Sequence, residues 1–516
     1  MNGCAKILAC AALLAAVAAA GESAGAAPGK SAETAAARRQ EGGPKIAVWP
    51  DYLGITLPPN VAPLNFKVLN ADGAEPPPEA SVEAADGARL EAKADAAGVV
   101  RWRPKDWRRF LLAHAGGEIK VRIRFNGAVR VATNRISPAP MDSHLTYRLI
   151  PPSYTLFNTM GVYQRDLTGF GERVLVRNEQ TDLMQCVNCH TYNRANPDEY
   201  LFHTRAYAGG THVVSPKWGV RKVDLKTPSS FGAGVYPAWH PSGDLIVFSV
   251  NETRQGFWAF NPDKIEVVDL RSDLICYSLA DNTVRTIEDD PLTFETFPTW
   301  SPDGRRLYSC RAKTPFKEMP KDYELRFEQT FGAADQLHYD IVVRDWNPAT
   351  GAFSAPRTVF DARHAGLSAS FPRVSPDGRW LVATVGPYGN FHVWHKASDL
   401  WIFDLKERRY RELKELNSAA ADTYHTFSSN GRWMVFSSRR IDGVYTRPFF
   451  AAFDPERGVF AKPFLLPAEN PDDHLDRMLS YNIPEFSAGP VKASTRELGK
   501  LAKRPAAKAE NPDGRK

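Results

Sequence analysis

The 516-residue chain is 43% hydrophobic and 24% charged, which excludes wholesale disorder and a bundle of membrane spans. Of its net charge of +6, eight Lys/Arg against three Asp/Glu in residues 492–516 supply all but one unit. The body is therefore nearly neutral, and no nucleic-acid partner is expected, because a nucleic-acid groove spreads its basic charge over a folded face.

In chain order, Lys6 precedes an Ala/Leu-rich apolar run over 7–20 that ends in small residues. It reads as a secretory signal peptide over 1–20, and the periplasm is the expected location. The run is too short to span a bilayer and no second apolar span follows, so no transmembrane span is expected. Cys10 lacks the apolar core that should precede a lipoprotein cleavage site, so no lipid anchor is expected. Residues 21–44, rich in Ala, Gly, Glu and Arg, read as a linker. Cys4 and Cys10 leave with the signal, and the remaining Cys186, Cys189, Cys276 and Cys310 are too few for a disulfide scaffold of this size.

Residues 45–137 show apolar alternation in 65–70 (NFKVLN), 98–102 (GVVRW) and 118–125 (EIKVRIRF), separated by Pro/Gly/Asp turns. They predict a small β-sandwich, with an immunoglobulin-like topology one option among several.

The region 155–490 is repetitive. An aromatic residue, a short strand, a Ser/His-Pro-Asp-Gly-type turn and a second apolar strand recur after Tyr236 (YPAWHPSGDLIVFS), Phe297 (FPTWSPDGRRLYSC), Phe371 (FPRVSPDGRWLVAT) and Tyr424 (YHTFSSNGRWMVFSS). The turn residues supply tight reversals between antiparallel strands. Four strands per unit of about 40 to 60 residues is the sequence form of a propeller blade. A weaker unit begins at Cys186. The strand near Tyr481 lacks a blade behind it, while those near Val162 and Arg173 lack an inner strand ahead, so joining them closes a sixth blade and leaves no open edge. The fold class predicted is all-β, a six-bladed β-propeller preceded by a small β-sandwich. The Ser-Pro-Asp-Gly hairpins resemble the WD-repeat-like units of TolB-like six-bladed propellers. That resemblance implies a binding platform or an accessory domain and no particular chemistry. The tail 491–516 is expected to be disordered.

Cys186-Val187-Asn188-Cys189-His190 has the spacing of covalent c-type haem attachment, in which two thiols reach the vinyl groups on one porphyrin edge and the adjacent imidazole binds iron. The reading is one covalent haem c, with Cys186 and Cys189 as thioether anchors and His190 as the proximal ligand. Resemblance to c-type cytochromes is confined to these five residues. A redox-active Cys pair lacks a βαβ context, and a structural zinc site lacks a second ligand pair. A Cys186–Cys189 disulfide stays open as an alternative. Because both thiols must share one face, a helical turn or tight bend is expected at 186–190. The second iron ligand is expected from His203 or Met478, with His212 and Met184 as weaker candidates, unless the position is open. His392 and His395 are a weak metal pair, and Arg439, Arg440 and Arg447 with Tyr445 are candidates for the ring's mouth.

The function expected is that of a periplasmic haem c-bearing propeller engaged in one-electron transfer or redox docking with a periplasmic redox or scaffold protein. The alternative is a non-redox protein- or glycan-binding scaffold. A third option is a haem enzyme, should the iron keep an open position. No nucleophile elbow, P-loop or dinucleotide fingerprint occurs, so a carrier or binding protein is favoured over an enzyme.

Overall fold

Each Ser-Pro-Asp-Gly string closes a hairpin by the same means. Ser301, Ser375 and Ser428 donate their backbone N–H to the carbonyls of Arg306, Trp380 and Trp433 at 2.8, 2.8 and 2.9 Å. Their hydroxyls donate to the Asp303, Asp377 and Asn430 side chains within the turn. Gly304, Gly378 and Gly431 sit at φ 71°, 75° and 65°, a left-handed conformation that a Cβ makes costly. The computed structural model describes residues 46–512 apart from 152–158, 182–185, 207–208, 229 and 262. The expected signal peptide over 1–20 and linker over 21–44, and the ligand candidate Met184, lie outside the described residues.

The hairpins build six antiparallel sheets around one axis. Blade 1 runs Cys186–Tyr192, Tyr200–Arg205, Gly210–Ser215 and Gly219–Asp224, from the axis outward. Blade 2 is Val235–Trp239, Leu245–Phe257, Ile265–Ser278 and Thr283–Glu288. Blade 3 is Thr293–Trp300, Arg306–Lys313, Asp340–Asn347 and Arg357–Phe360, with the helix Tyr323–Gly332 inserted before its third strand. Blade 4 is Ser368–Val374, Trp380–Gly386, Asp399–Asp404 and Arg409–Glu412. Blade 5 is Asp422–Phe427, Trp433–Ser438 and Arg447–Asp454, edged by Val459–Phe460 and Phe464–Leu465.

Blade 6 is the closure. Its inner strand Ser480–Ser487 pairs with His144–Ile150, which leads outward to Gly161–Asp166 and Glu172–Arg177. One strand from the end of the ring thus joins three from its beginning, and no inner edge is left unpaired.

Ahead of the ring, a three-stranded sheet (Val48–Trp49, Phe66–Val68, Val99–Val100) faces a five-stranded one that includes Glu79–Ala84, Glu118–Phe125 and Ala128–Ile136. The sequence reading missed the helix Pro104–Ala113, which starts on a proline and buries Trp107, Phe110 and Leu111. Trp107 stays inside the sandwich: it stacks on Trp102 at 5.7 Å and donates to the Val61 carbonyl at 3.2 Å.

The tail corrects an expectation. Residues 495–503 form a helix, Thr495–Lys503, capped reciprocally by Ser494 and Glu497. Its Leu498, Leu501 and Ala502 bury against Leu175, Val176, Val187 and Phe202 of blades 6 and 1. Ala507–Lys508 then adds a parallel strand to the outer edge of blade 1. The Lys/Arg content suggested a solvated tail, but the apolar residues fall at helical spacing (i, i+3, i+4) and close one stripe.

Candidate functional site at the ring axis

The inner strand of every blade is broken at one place. Ladder register shifts occur between Asn188 and Thr191, Val235 and Ala238, Thr296 and Thr299, Ser370 and Arg373, Thr423 and Thr426, and Asn482 and Glu485. At each bulge one non-glycine residue has positive φ: Cys189 (43°), Tyr236 (48°), Phe297 (53°), Phe371 (51°), Tyr424 (45°) and Ile483 (54°). The strain turns this side chain toward the axis. Tyr236–Phe297, Phe297–Phe371 and Phe371–Tyr424 pack at ring-centroid distances of 4.6, 4.2 and 4.5 Å. Together they form a plug across the central channel. Cys189 fills the blade 1 position of that plug and is electrostatically coupled to Tyr236 and Tyr424.

The next residue is Pro237, Pro298, Pro372 or Pro484 in four blades and histidine in the other two. Proline fits because the ladder asks for no N–H there. His190 donates from Nε2 to the Thr146 carbonyl in the second strand of blade 6, at 3.3 Å. His425 donates from Nε2 to the Val382 carbonyl in the second strand of blade 4, at 2.8 Å. Both therefore bolt a bulge to the preceding blade. Burial lowers the pKa of His190 to about 4 and that of His425 to about 3, so both are neutral near pH 7. In both, Nδ1 is buried without a hydrogen-bond partner among the described residues.

The motif is therefore a strand, Cys186–Tyr192, bent by a bulge at Cys189 and His190. This corrects the helical-turn half of the expectation and retains the bend. Cys186 pairs with Arg205 on the next strand. Cys186 and Cys189 are both free and buried, and not joined by a disulfide. Burial raises the Cys186 thiol pKa, Arg148 and Arg205 counteract this, and proximity to Cys189 adds to it. Arg148 also donates to the Asn188 side chain. Arg439 lies near Tyr424, over the Trp394 ring at 4.4 Å. None of these three arginines is in an ion pair among the described residues. Cys276 and Cys310 lie apart in blades 2 and 3, where burial holds both thiols protonated.

The second-ligand candidates separate. His203 is the cross-strand partner of Asn188. It is buried, with Nδ1 3.0 Å from Thr211 Oγ1 and Nε2 without a partner among the described residues. His212 stacks on Phe202 at 4.4 Å and meets Thr204 Oγ1 at 2.9 Å. Met478 is 73% exposed, two residues ahead of the inner strand of blade 6, and its side chain stands in solvent. Among the other candidates, Arg447 spends its guanidinium on the carbonyls of His474, Leu479 and Arg477, and Arg440 pairs with Asp422 at 2.8 Å. Neither of these two opens on the axis. His395 pairs with Glu266 at 2.9 Å, and His392 bonds Ser370 Oγ at 2.7 Å. No cluster of three or more metal-binding side chains occurs among the described residues.

The repeat of an aromatic before proline marks the bulge in sequence. Laying Cys189-His190-Thr191 over Tyr424-His425-Thr426 exposes the structural role of His190.

No family model and no curated protein matches the chain. Similar solved structures include a chain of a nidogen–laminin complex (9% identity, 66% of this chain and 99% of that one, TM-score 0.37). They also include an oligogalacturonate lyase from Vibrio parahaemolyticus (12%, 60% and 92%, 0.31) and the hydrazine synthase of Kuenenia stuttgartiensis (12%, 53% and 64%, 0.30). At these values none bears on activity. The architecture rests on the sheet order above.

Proposed function

We propose that the protein is an exported propeller that carries one covalent haem c at the axis of blade 1 and serves one-electron transfer to a periplasmic redox partner. What carries the reading is that blade 1 alone combines two free neighbouring thiols, Cys186 and Cys189, with an adjacent imidazole that has an uncommitted nitrogen. The donor set fits the group. Cys186 and Cys189 would hold it by thioether bonds, His190 would ligate its iron, and Arg148, Arg205 and Arg439, none of them in an ion pair within 4 Å among the described residues, are cations suited to its propionates. Bound haem c supplies a one-electron couple. The chain's part is to keep His190 neutral through burial and to exclude water through the aromatic plug. His203, with its unpartnered Nε2, is favoured over the exposed Met478 as a further ligand.

A second reading has its own support. His425 fills the same seam without a thiol pair, so His190 is also accounted for by a haem-free binding scaffold. One experiment separates them. Protein produced with a haem-attachment system should keep its haem through denaturing electrophoresis, and Cys186→Ala with Cys189→Ala should lose it. Wild-type chain that emerges without haem overturns the first reading and leaves the scaffold.

A further inference from the structure

The bulge that builds the plug also fixes what lies on its other side. One residue after the Pro/His position, the six inner strands contribute Thr191, Ala238, Thr299, Arg373, Thr426 and Glu485. All six line a funnel of about 480 Å³ that opens among the hairpin turns. The volume is that of a site for a small ligand. Cys186 begins its strand at the opposite end of the ring, so this funnel is separate from the thiol site, and its reading does not depend on haem.

Six equivalent positions carry three hydroxyls, one methyl, one cation and one anion. Most of the polar groups there are committed. Thr426 Oγ1 donates to the Pro484 carbonyl at 2.9 Å. Thr191 Oγ1 and the Tyr192 N–H both donate to Glu485 Oε1 at 2.9 Å. Arg194 donates to the Pro302 carbonyl at 2.6 Å, and the turn hydroxyls of Ser301 and Ser428 are held by Asp303 and Asn430. Arg373 differs. Its guanidinium has no hydrogen bond and no ion pair within 4 Å among the described residues; its interactions are burial, which disfavours the charge, and the attraction of Glu485. A half-buried forked cation facing a funnel with its donors unspent is the counterpart of a planar oxyanion. Burial raises the pKa of Glu485 beside it to about 7, so near neutral pH the site carries between zero and one positive charge, which suits one carboxylate better than a multiply charged phosphate.

We propose that the funnel binds a carboxylate that also bears a hydrogen-bond donor, its two oxygens on Arg373 and its hydroxyl or amide N–H on Glu485. The same chemistry comes from a free hydroxy acid or from the C-terminus of a peptide, and the probes distinguish them. Isothermal titration uses gluconate, trialanine, trialanine amide and inorganic phosphate on the whole chain. Gluconate or trialanine should bind, while the amide and phosphate should not. Arg373→Gln should weaken binding about tenfold or more, and Arg373→Lys, which keeps the charge but not the fork, should fall between. Both variants should keep a melting temperature near that of the wild type, because the Arg373 side chain makes no hydrogen bond or close ion pair among the described residues. The proposal is overturned if neither carboxylate binds at about 10 mM, or if Arg373→Gln binds it as wild type does. Binding of trialanine but not gluconate assigns the site to a chain terminus, and the reverse assigns it to a free acid.

Discussion

At the scale of the residue, His190 and His425 show how one buried side chain ties two blades together. Each donates to a carbonyl of the preceding blade, and each is held neutral by burial. For His425 the pKa falls from 6.5 to about 3. Below pH 6.5 the unfolded chain takes up a proton that the folded chain refuses. The contribution of this group to stability is therefore whole above pH 6.5 and declines toward pH 3 by about 1.4 kcal/mol per pH unit. His425→Gln should be less stable than wild type at pH 7 by about 1–2 kcal/mol. That gap should close between about pH 6 and pH 5 and reverse in favour of the variant toward pH 4, read as urea midpoints of both proteins. A gap that stays constant with pH would show that His425 is not held neutral by burial. The Cys-x-x-Cys-His spacing was legible in the sequence because it is a local pattern of five consecutive residues. The seam was not, because a hydrogen bond to Thr146 depends on which blade closes the ring.

At the scale of the element, strand pairs and turns were legible because glycine at positive φ and alternating apolar residues are local signals. What failed was non-local. The bulge at Cys189 recurs at the equivalent place in the five other inner strands, so of the two expected forms, a helical turn or a tight bend, the bend is the one found, and its place in the ring is what sequence did not show. The C-terminal helix is tertiary in the same sense, since Thr495–Lys503 has a stripe only once blades 6 and 1 offer a groove. Its packing predicts a cost that a solvated tail would not show. Leu498→Ala should destabilise the protein by about 2–5 kcal/mol through the cavity it leaves, and Ser494→Ala by about 1 kcal/mol through the lost cap. Thermal melts of the two variants check this. Wild-type stability in Leu498→Ala would return the segment to the role of a loose tail.

At the scale of the whole molecule, the sandwich and the ring have separate sequence patterns but share one core. Tyr52, Leu64 and Phe66 of the sandwich belong to the same buried cluster as Trp433, Phe450, Phe464 and Leu466 of blade 5. Polar contacts anchor both the sandwich and the segment that leaves it to blade 5. Trp433 Nε1 donates to the Ala139 carbonyl at 3.0 Å, and Ser429 donates to Asp142 from N and Oγ at 2.7 and 2.6 Å. Lys462 Nζ reaches Asp51 at 2.7 Å, and Asn65 Nδ2 reaches the Glu469 carbonyl at 3.0 Å. Removing residues 46–137 would therefore expose the outer face of blade 5, next to the closing blade, and leave the ring with an apolar patch in water. Calorimetry of the intact chain should give one cooperative transition covering both parts. The fragment starting at 138 should melt lower and bind a hydrophobic dye at temperatures where the intact chain does not. If the sandwich and the ring instead melt in two resolved steps, the seam contributes little, and blade 5 must be stable with that face in solvent.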